Sequence, residues 1–529
     1  MADRNKSRGG FEIAKAVSEL YAQGQTDYYL DPIVLTEADA KPIGRITNGD
    51  SVVFCCRRGE REIQLTEAFT DRNCPEMHGR WLNDLYFVIL TLYHEKFKDL
   101  PVAFAPSRID ATIGQIVSTA GLTQSRIAES EKFAHVTFFF NGGNNKPFVN
   151  EDDVRIPSPK GVPFDSVPAL SLPAVADEVI KTLRAKKDLV VTNFANGDVI
   201  GHTSNDEAKI CAAHVVDEYL RLVVQEAIND DYVVMITADH GNLEVLHTES
   251  GEPHVSHTSN LVPFMLIDPR ASQKIKLRDG ILADIAPTIL EALSLPQPQA
   301  MTGNPLTIDH NYGQSRKVML IILDGWGNNS DAKNNPIMMA KTPYWDTLLK
   351  TFPVTALSAS GESVGLKPGK TGNSEAGHMN IGSGRVVLQD DVRLDKAMED
   401  GSFYQNNVIN EAISRSITRK KKLHLIGLLT EKSSHGSIDY PLAVLKMAKN
   451  AGLREVYLHV IFDGRSTEPG TAPLLLEKLD SMIAEIGIGT IVTGIGRGIA
   501  LDRDGNYHKT QIAFDALVSG LGKQATYGS

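Results

Sequence analysis

Short apolar runs punctuate the chain, separated by longer segments whose apolar positions recur every three or four residues. The runs include "SVVFCC", "DLVVTNFA", "YVVMITAD", "VPFMLID", "KVMLIILD", "LHLIGLL", "EVYLHVIFD" and "TIVTGIG". Their length and β-branched content predict buried strands. "NDEAKICAAHVVDEYLRLVVQEAIND" and "PLAVLKMAKNAG" predict amphipathic helices. Alternation of the two predicts an α/β fold with largely parallel sheets. "YFVILTLYHEKF" is too short to span a membrane and reads as a buried helix. The Pro-, Gly- and Asn-rich stretch 295–317 reads as a surface linker. The ends "MADRNKSRGG" and "GLGKQATYGS" read as polar loops.

At 529 residues, the chain is long enough for more than one domain. With 42% hydrophobic and 22% charged residues, its composition is that of a globular protein. A net charge of -11 and the lack of a basic block argue against a nucleic-acid partner. Four cysteines without a CxxC pair are no disulfide framework and point to a reducing cytoplasm. The N-terminal residues lack a signal-peptide core, and no window reaches the length of a membrane span.

Ligands of open α/β sheets gather beyond the carboxyl ends of strands. Asp198 follows "DLVVTNFAN", with His202 four residues on; Asp239-His240 follows "YVVMITA"; His257 lies in "EPHVSHTSN"; Asp324 ends "KVMLIILD". Each alone reads as a turn or packing residue. Together they form a mixed imidazole and carboxylate set suited to Zn, Mn or related ions, with more ligands than one ion needs. Paired metals are a common device for phosphoryl chemistry. Ser374 in "TGNSEAGHMNIGSG" is a candidate nucleophile at a helix start, with a helix cap as the alternative reading. "GLKPGKT" is not a P-loop, because three residues rather than four separate its glycines. A second, basic group also follows strands: Arg58, Arg61, Arg465, Arg497, Arg503 and His435. Guanidinium groups so placed suit a small polyanion. Arg57 and Arg72 read as surface residues.

"LIILDGWG", "GNSEAGHMNIGSGR", "ANGDVIGHT", "TADHGNLE", "EPHVSHTSN" and "IAESEKFAHVTFFFNGG" resemble the motifs of the cofactor-independent phosphoglycerate mutase family, within the alkaline phosphatase superfamily. The order differs: the family's second part comes first here, which resembles a circular permutation joined by a linker at Asp309–Ser315. Seven residues span roughly 20–25 Å when extended, enough to join neighbouring termini. The resemblance implies an alkaline-phosphatase-like three-layer αβα domain at about 107–388. It also implies a smaller α/β transferase domain split between about 1–106 and 389–529, with two crossings as a hinge.

By resemblance, Asp198, His202 and His257 hold one divalent metal, and Asp324, Ser374, Asp239 and His240 the other. Manganese is expected, with Co, Zn and Mg as alternatives, and no bisphosphoglycerate. The family's substrate positions fall on His435, Arg465, Arg497, Arg503, Arg58, Arg61 and Lys132. Ser466 stands where the family commonly has an aspartate that handles the glycerate hydroxyl. "EKSSHGS" replaces the Gly-rich lead-in to His435, and the loop after Arg497 lacks the family's paired tyrosines. The implied activity is interconversion of 3- and 2-phosphoglycerate through a phosphoserine at Ser374. Lys132 offsets phosphoryl charge, and His435 moves a proton or contacts phosphate. The rival is a metal-dependent phosphomonoesterase that shares the metal ligands and Ser374; a non-catalytic phosphate-binding relative is a third reading. A monomer without membrane or nucleic-acid partners is expected.

Overall fold

The computed structural model describes residues 7–57, 61–72, 74, 81–105, 109–271, 275–431, 433 and 435–528. Arg58 and the expected domain boundary at 106–107 lie outside these residues. The chain forms two compact units, residues 108–392 and residues 1–107 with 393–529. Both are mixed α/β sheets with helices. No helix among the described residues is long and apolar enough to cross a membrane.

The sheet of unit 108–392 has eight strands. Its centre is Val233–Thr237, Val318–Leu323 and Leu189–Phe194, all parallel. Gln124–Glu129 and Glu151–Ile156 continue it in parallel on one side; Val262–Ile267 pairs antiparallel with Val233–Thr237 on the other. Every residue of the three central strands is buried, which explains their mostly apolar sequences, interrupted only at Thr192, Asn193 and Thr237. The registers put Ile321 beside both Ile236 and Thr192, so the three strands finish level. Helix Leu172–Arg184 packs on Asp206–Asn229, which also meets Pro343–Thr351. Ser374–Ser383 packs with Ile285–Ala292 and Ile113–Thr119.

In the other unit the two chain segments interleave in one sheet. Ser51–Phe54 pairs in parallel with Leu423–Leu429, and Ile33–Thr36 lies between Lys523–Thr526 and Thr490–Gly496. Neither segment completes this sheet alone. Alternate residues enter different cores: Val53 and Cys55 join the helices Ala472–Ile486 and Asp439–Asn450, whereas Val52, Phe54 and Cys56 join Ile63–Thr70 and Tyr507–Ser519. A strand places successive side chains on opposite faces, so helices cover both faces of this sheet. Truncating a fully buried residue such as Leu425 or Phe54 is expected to cost about 2–5 kcal/mol.

Several local expectations are corrected. "YFVILT" is the strand Tyr86–Thr91, paired in parallel with Ser51–Phe54 and Val102–Phe104, not a helix. A short apolar run is ambiguous in period, and here its aromatic and β-branched residues fit the pleat. The C-terminal "KQAT" is a strand at the sheet edge, where polar side chains are tolerated. The stretch 295–317 is not merely surface: Met301, Leu306 and Tyr312 pack into the core, and Thr307–Ile308 pairs with Lys276–Leu277. Arg57 is buried, not a surface residue. Its guanidinium donates to Ser433 O at 2.7 Å and lies over Tyr440.

Candidate metal centre

Because the three central strands end level, the residues after them meet. Asp324 is fixed by its backbone N–H to Phe194 O, and Gly325, with φ 72°, turns the chain against Asp198. A side chain at Gly325 would collide with the Asp198 backbone, so glycine is required there. Helix Ser374–Ser383 begins beside them. Asn373 caps it, accepting from Ala376 N at 2.8 Å, so Ser374 is not the cap. The Ser374 hydroxyl is buried in the centre.

Ser374 Oγ lies 2.7 Å from Lys132 Nζ, 2.9 Å from His240 Nε2 and 3.3 Å from Asp324 Oδ1. His240 Nδ1 faces Gly241 O at 3.2 Å, which turns Nε2 toward Ser374 Oγ and the carboxylates of Asp324 and Asp239. The Lys132 ammonium also donates to Asp198 Oδ2 at 2.6 Å and Asp324 Oδ1 at 2.8 Å. Burial alone would lower its pKa, but Asp324, Asp198 and Asp239 hold it above the ordinary lysine value. Burial raises Asp198, yet Lys132, His202 and His257 outweigh it and keep this carboxylate well below its usual range. In Asp324, burial and the neighbouring Asp239 prevail, and the pKa rises.

His202 and His257 approach Asp198 Oδ1 at 3.2 and 3.1 Å. Their Nδ1 atoms face Val255 O and Gly372 O, so both Nε2 atoms turn to Asp198 and lie 3.0 Å from each other, a pair that needs a proton or a metal ion between it and the carboxylate. The Asp198 carboxylate raises the pKa of both imidazoles against the effect of burial. Asp239 Oδ2, fully buried, makes no well-formed hydrogen bond among the described residues; His378 Nδ1 lies 3.3 Å and His240 Nε2 3.6 Å away. Two groups have ligand atoms within 4.8 Å of one another, Asp198 with His240 and His257, and Asp239 with His240 and Asp324. These donors fit divalent ions of borderline character.

Other residues escaped the sequence reading. Asn193 donates to Asp324 Oδ2 at 2.6 Å and meets His378 Nε2 at 3.1 Å, while His378 Nδ1 donates to Ser374 O at 2.9 Å. Glu244 accepts from Asn242 N, Gly327 N and Asn260 Nδ2 at 2.8–3.1 Å, and from the Thr258 hydroxyl. It thereby ties together the loops bearing His240, His257 and Asp324. Their signal was only adjacency to the metal motifs.

The basic candidates of unit 1–107 with 393–529 are divided. Arg465, Ser466 and Arg503 are exposed. Arg61 is buried and donates to Leu501 O at 3.1 Å; Arg497 is buried against Asp463. His435 Nδ1 meets Glu62 Oε1 at 3.1 Å, and its backbone N–H meets Ser433 Oγ at 3.3 Å. Glu62 was missed because it sits in the charged run "RRGEREI", which reads as a solvated turn. Burial raises its pKa, against His435 and Arg497, which lower it.

Residues 11–297, more than half of the chain, match the model described as "Metalloenzyme superfamily", and the chain belongs to that superfamily. With the donor groups above, this defines a divalent-metal centre. Residues 394–528 match the model "BPG-independent PGAM N-terminus". Within the superfamily the chain is similar to 2,3-bisphosphoglycerate-independent phosphoglycerate mutases. It is 44% identical to that of Moorella thermoacetica over 297 residues, covering 56% of this chain and 57% of the relative. Identity to that of Syntrophotalea carbinolica is 43% over 303 residues, 55% and 57% of the two chains. The chain thus spans little more than half the length of the curated relatives it matches. A crystal structure of Leishmania mexicana phosphoglycerate mutase at low cobalt concentration matches with a TM-score of 0.41 and 24% identity, over 52% of this chain and 53% of that one.

Proposed function

We propose that the chain interconverts 3-phosphoglycerate and 2-phosphoglycerate without bisphosphoglycerate, through a phosphoserine at Ser374. The observation that supports this most is the setting of the Ser374 hydroxyl, held between Lys132 Nζ and His240 Nε2 beside the donor groups of the candidate metal centre. The names of the relatives give the substrate class.

Asp198, His202 and His257 are proposed for one ion, Asp324, Asp239, His240 and Ser374 for the other, with Mn²⁺ as the working metal and Co²⁺, Zn²⁺ or Mg²⁺ as alternatives. Bound there, two divalent ions would lower the hydroxyl pKa and offset phosphoryl charge. Ser374 Oγ attacks phosphorus in line, and the Lys132 ammonium faces the charge on the transferring oxygens. Arg61, Arg465, Arg497 and Arg503 are proposed to retain the glycerate carboxylate, with Arg58 from the sequence motif. His435 moves the hydroxyl proton.

The permuted order is part of the proposal. A model named for an N-terminus matches behind the superfamily match, and residues 309–315 are the proposed joint. A monomer in the cytoplasm, without membrane or nucleic-acid partners, fits the net charge of -11 and a set of four cysteines without a CxxC pair.

The test supplies 3-phosphoglycerate and Mn²⁺ and follows 2-phosphoglycerate and free phosphate. Isomerised product with little phosphate is expected. Free phosphate alone would replace this reading with a phosphomonoesterase.

A further inference from the structure

We propose that Glu62 is the positioning residue for proton transfer by His435: its carboxylate fixes the imidazole with the proton on Nδ1 and Nε2 as the working base. This rests on the mutase reading above.

Glu62 lies at the start of helix Ile63–Thr70 and is wholly buried. Its backbone is pinned, since Thr66 N and Thr66 Oγ1 both donate to Glu62 O, at 3.1 and 2.8 Å. Oε1 faces His435 Nδ1 at 3.1 Å, and Oε2 has no hydrogen-bond partner. An ionised carboxylate can only accept, so Nδ1 is the donor and Nε2 holds the lone pair. The imidazole is held from its backbone too. His435 N donates to Ser433 Oγ, His435 O accepts from Arg57 N at 2.9 Å, and the Arg57 side chain grips Ser433 O. Arg57 is in turn fixed by Thr91 Oγ1, which donates to its carbonyl at 3.0 Å. Ser466 contributes a hydroxyl, 3.3 Å from Ser433 Oγ. Other charged or titratable groups acting on Glu62 or its partners are Arg497, paired with Asp463, and the buried Cys56 and Tyr93. A buried carboxylate with one oxygen on an imidazole and the other unpartnered is costly as a purely structural element. It is suited to balancing an imidazolium that forms during turnover.

In the step proposed, the glycerate hydroxyl oxygen bonds to phosphorus as the phosphorus–Ser374 Oγ bond breaks with its electron pair to Oγ. The hydroxyl proton passes to His435 Nε2, and Glu62 balances the resulting imidazolium. The half-reaction that frees a glycerate oxygen from phosphorus comes first and takes its proton from Nε2 of the imidazolium paired with Glu62; deprotonation of the other hydroxyl restores that imidazolium, so the ring ends as it began.

Two measurements test this. In ¹⁵N-histidine-labelled native protein, with the His435 signals identified by their loss in His435→Gln, neutral His435 is expected to carry its proton on Nδ1. A proton on Nε2 would overturn the proposal. In steady-state assays Glu62→Gln is expected to lower kcat by about 100-fold, the scale of acid–base catalysis, with KM nearly unchanged. Glu62→Asp should recover part of the loss. Native kcat in Glu62→Gln, or a rise in KM without loss of kcat, would contradict it. If Glu62→Gln fails to fold, the tautomer of the native protein decides alone. Absence of 2-phosphoglycerate from the native chain instead sinks the mutase reading, whichever tautomer is found.

Discussion

The two units place buried charge in opposite ways. In unit 108–392, Lys132 is shared by Asp198, Asp324 and Ser374, and Asp198 is in turn approached by His202 and His257. In the other unit each buried cation has its own counter-group: Arg497 has Asp463, Arg61 has Leu501 O, and Arg57 has Ser433 O. The first arrangement crowds acceptors, with two imidazole nitrogens 3.0 Å apart beside Asp198 and an Asp239 oxygen whose nearest group is His378 Nδ1 at 3.3 Å. The second pairs each of these arginines individually, while Glu62 Oε2 and Asp463 Oδ2 lack a hydrogen-bond partner among the described residues. Excess donor capacity calls for a cation from solution, whereas paired arginines build a rigid frame.

The largest expected effect breaks the comparison at its centre. Ser374→Ala should lower turnover by about 10⁴-fold or more, the scale for loss of a nucleophile, while leaving the fold intact by circular dichroism. Next come the two buried cations. Lys132→Met strands Asp198 and Asp324, and metal-free protein should lose about 3–5 kcal/mol of stability in urea titrations. Added Mn²⁺ should restore much of it. Asp463→Asn strands Arg497 at a similar cost, about 3–5 kcal/mol, and Mn²⁺ should not restore it. Equal rescue of both variants would erase the distinction drawn here. Chelation of the native protein should lower its stability by about 4 kcal/mol relative to metal at 1,000-fold above its Kd.

A smaller effect belongs to the arginine-bearing unit. His424 and His459 are buried on neighbouring strands, bonded to each other at 3.0 Å and onward to Asp50 and the Thr493 hydroxyl. Burial lowers both pKa values, helped by Lys422 and, for His459, by His424; Asp50 opposes this only at His424. Both rings are therefore neutral in the folded state at pH values where unfolded histidine, with pKa near 6.5, takes up protons. The unfolded state then binds more protons, so stability falls as pH drops below about 6.5. The slope should be at most about 1.4 kcal/mol per pH unit for each ring. Thermal melts of His459→Gln should show a flatter acid limb than the native chain.

Much of the metal centre was legible because parallel strands broadcast their ends. A buried run followed by Asp or His places that residue at the sheet's carboxyl edge, and Asp324, Asp239 and Asp198 all do this. The order of these strands was not legible, since Val318–Leu323 sits between strands that precede it in the chain. Tyr86–Thr91 was misread because five consecutive apolar residues carry no decisive period. Lys523–Thr526 was missed because an edge strand with polar residues resembles a loop. Arg57 and Glu62 were hidden for a different reason. Their burial is imposed by Tyr440, Ser433 and His435, hundreds of residues away in sequence, and nothing local distinguishes them from a solvated charge run.

The most direct test of the account is acid-quench trapping with 3-phosphoglycerate and Mn²⁺, followed by peptide mass spectrometry. A phosphoryl group on Ser374, present during turnover and accompanied by 2-phosphoglycerate, is the predicted result. Turnover to 2-phosphoglycerate by Ser374→Ala, or a phosphoryl adduct on another residue, would contradict it.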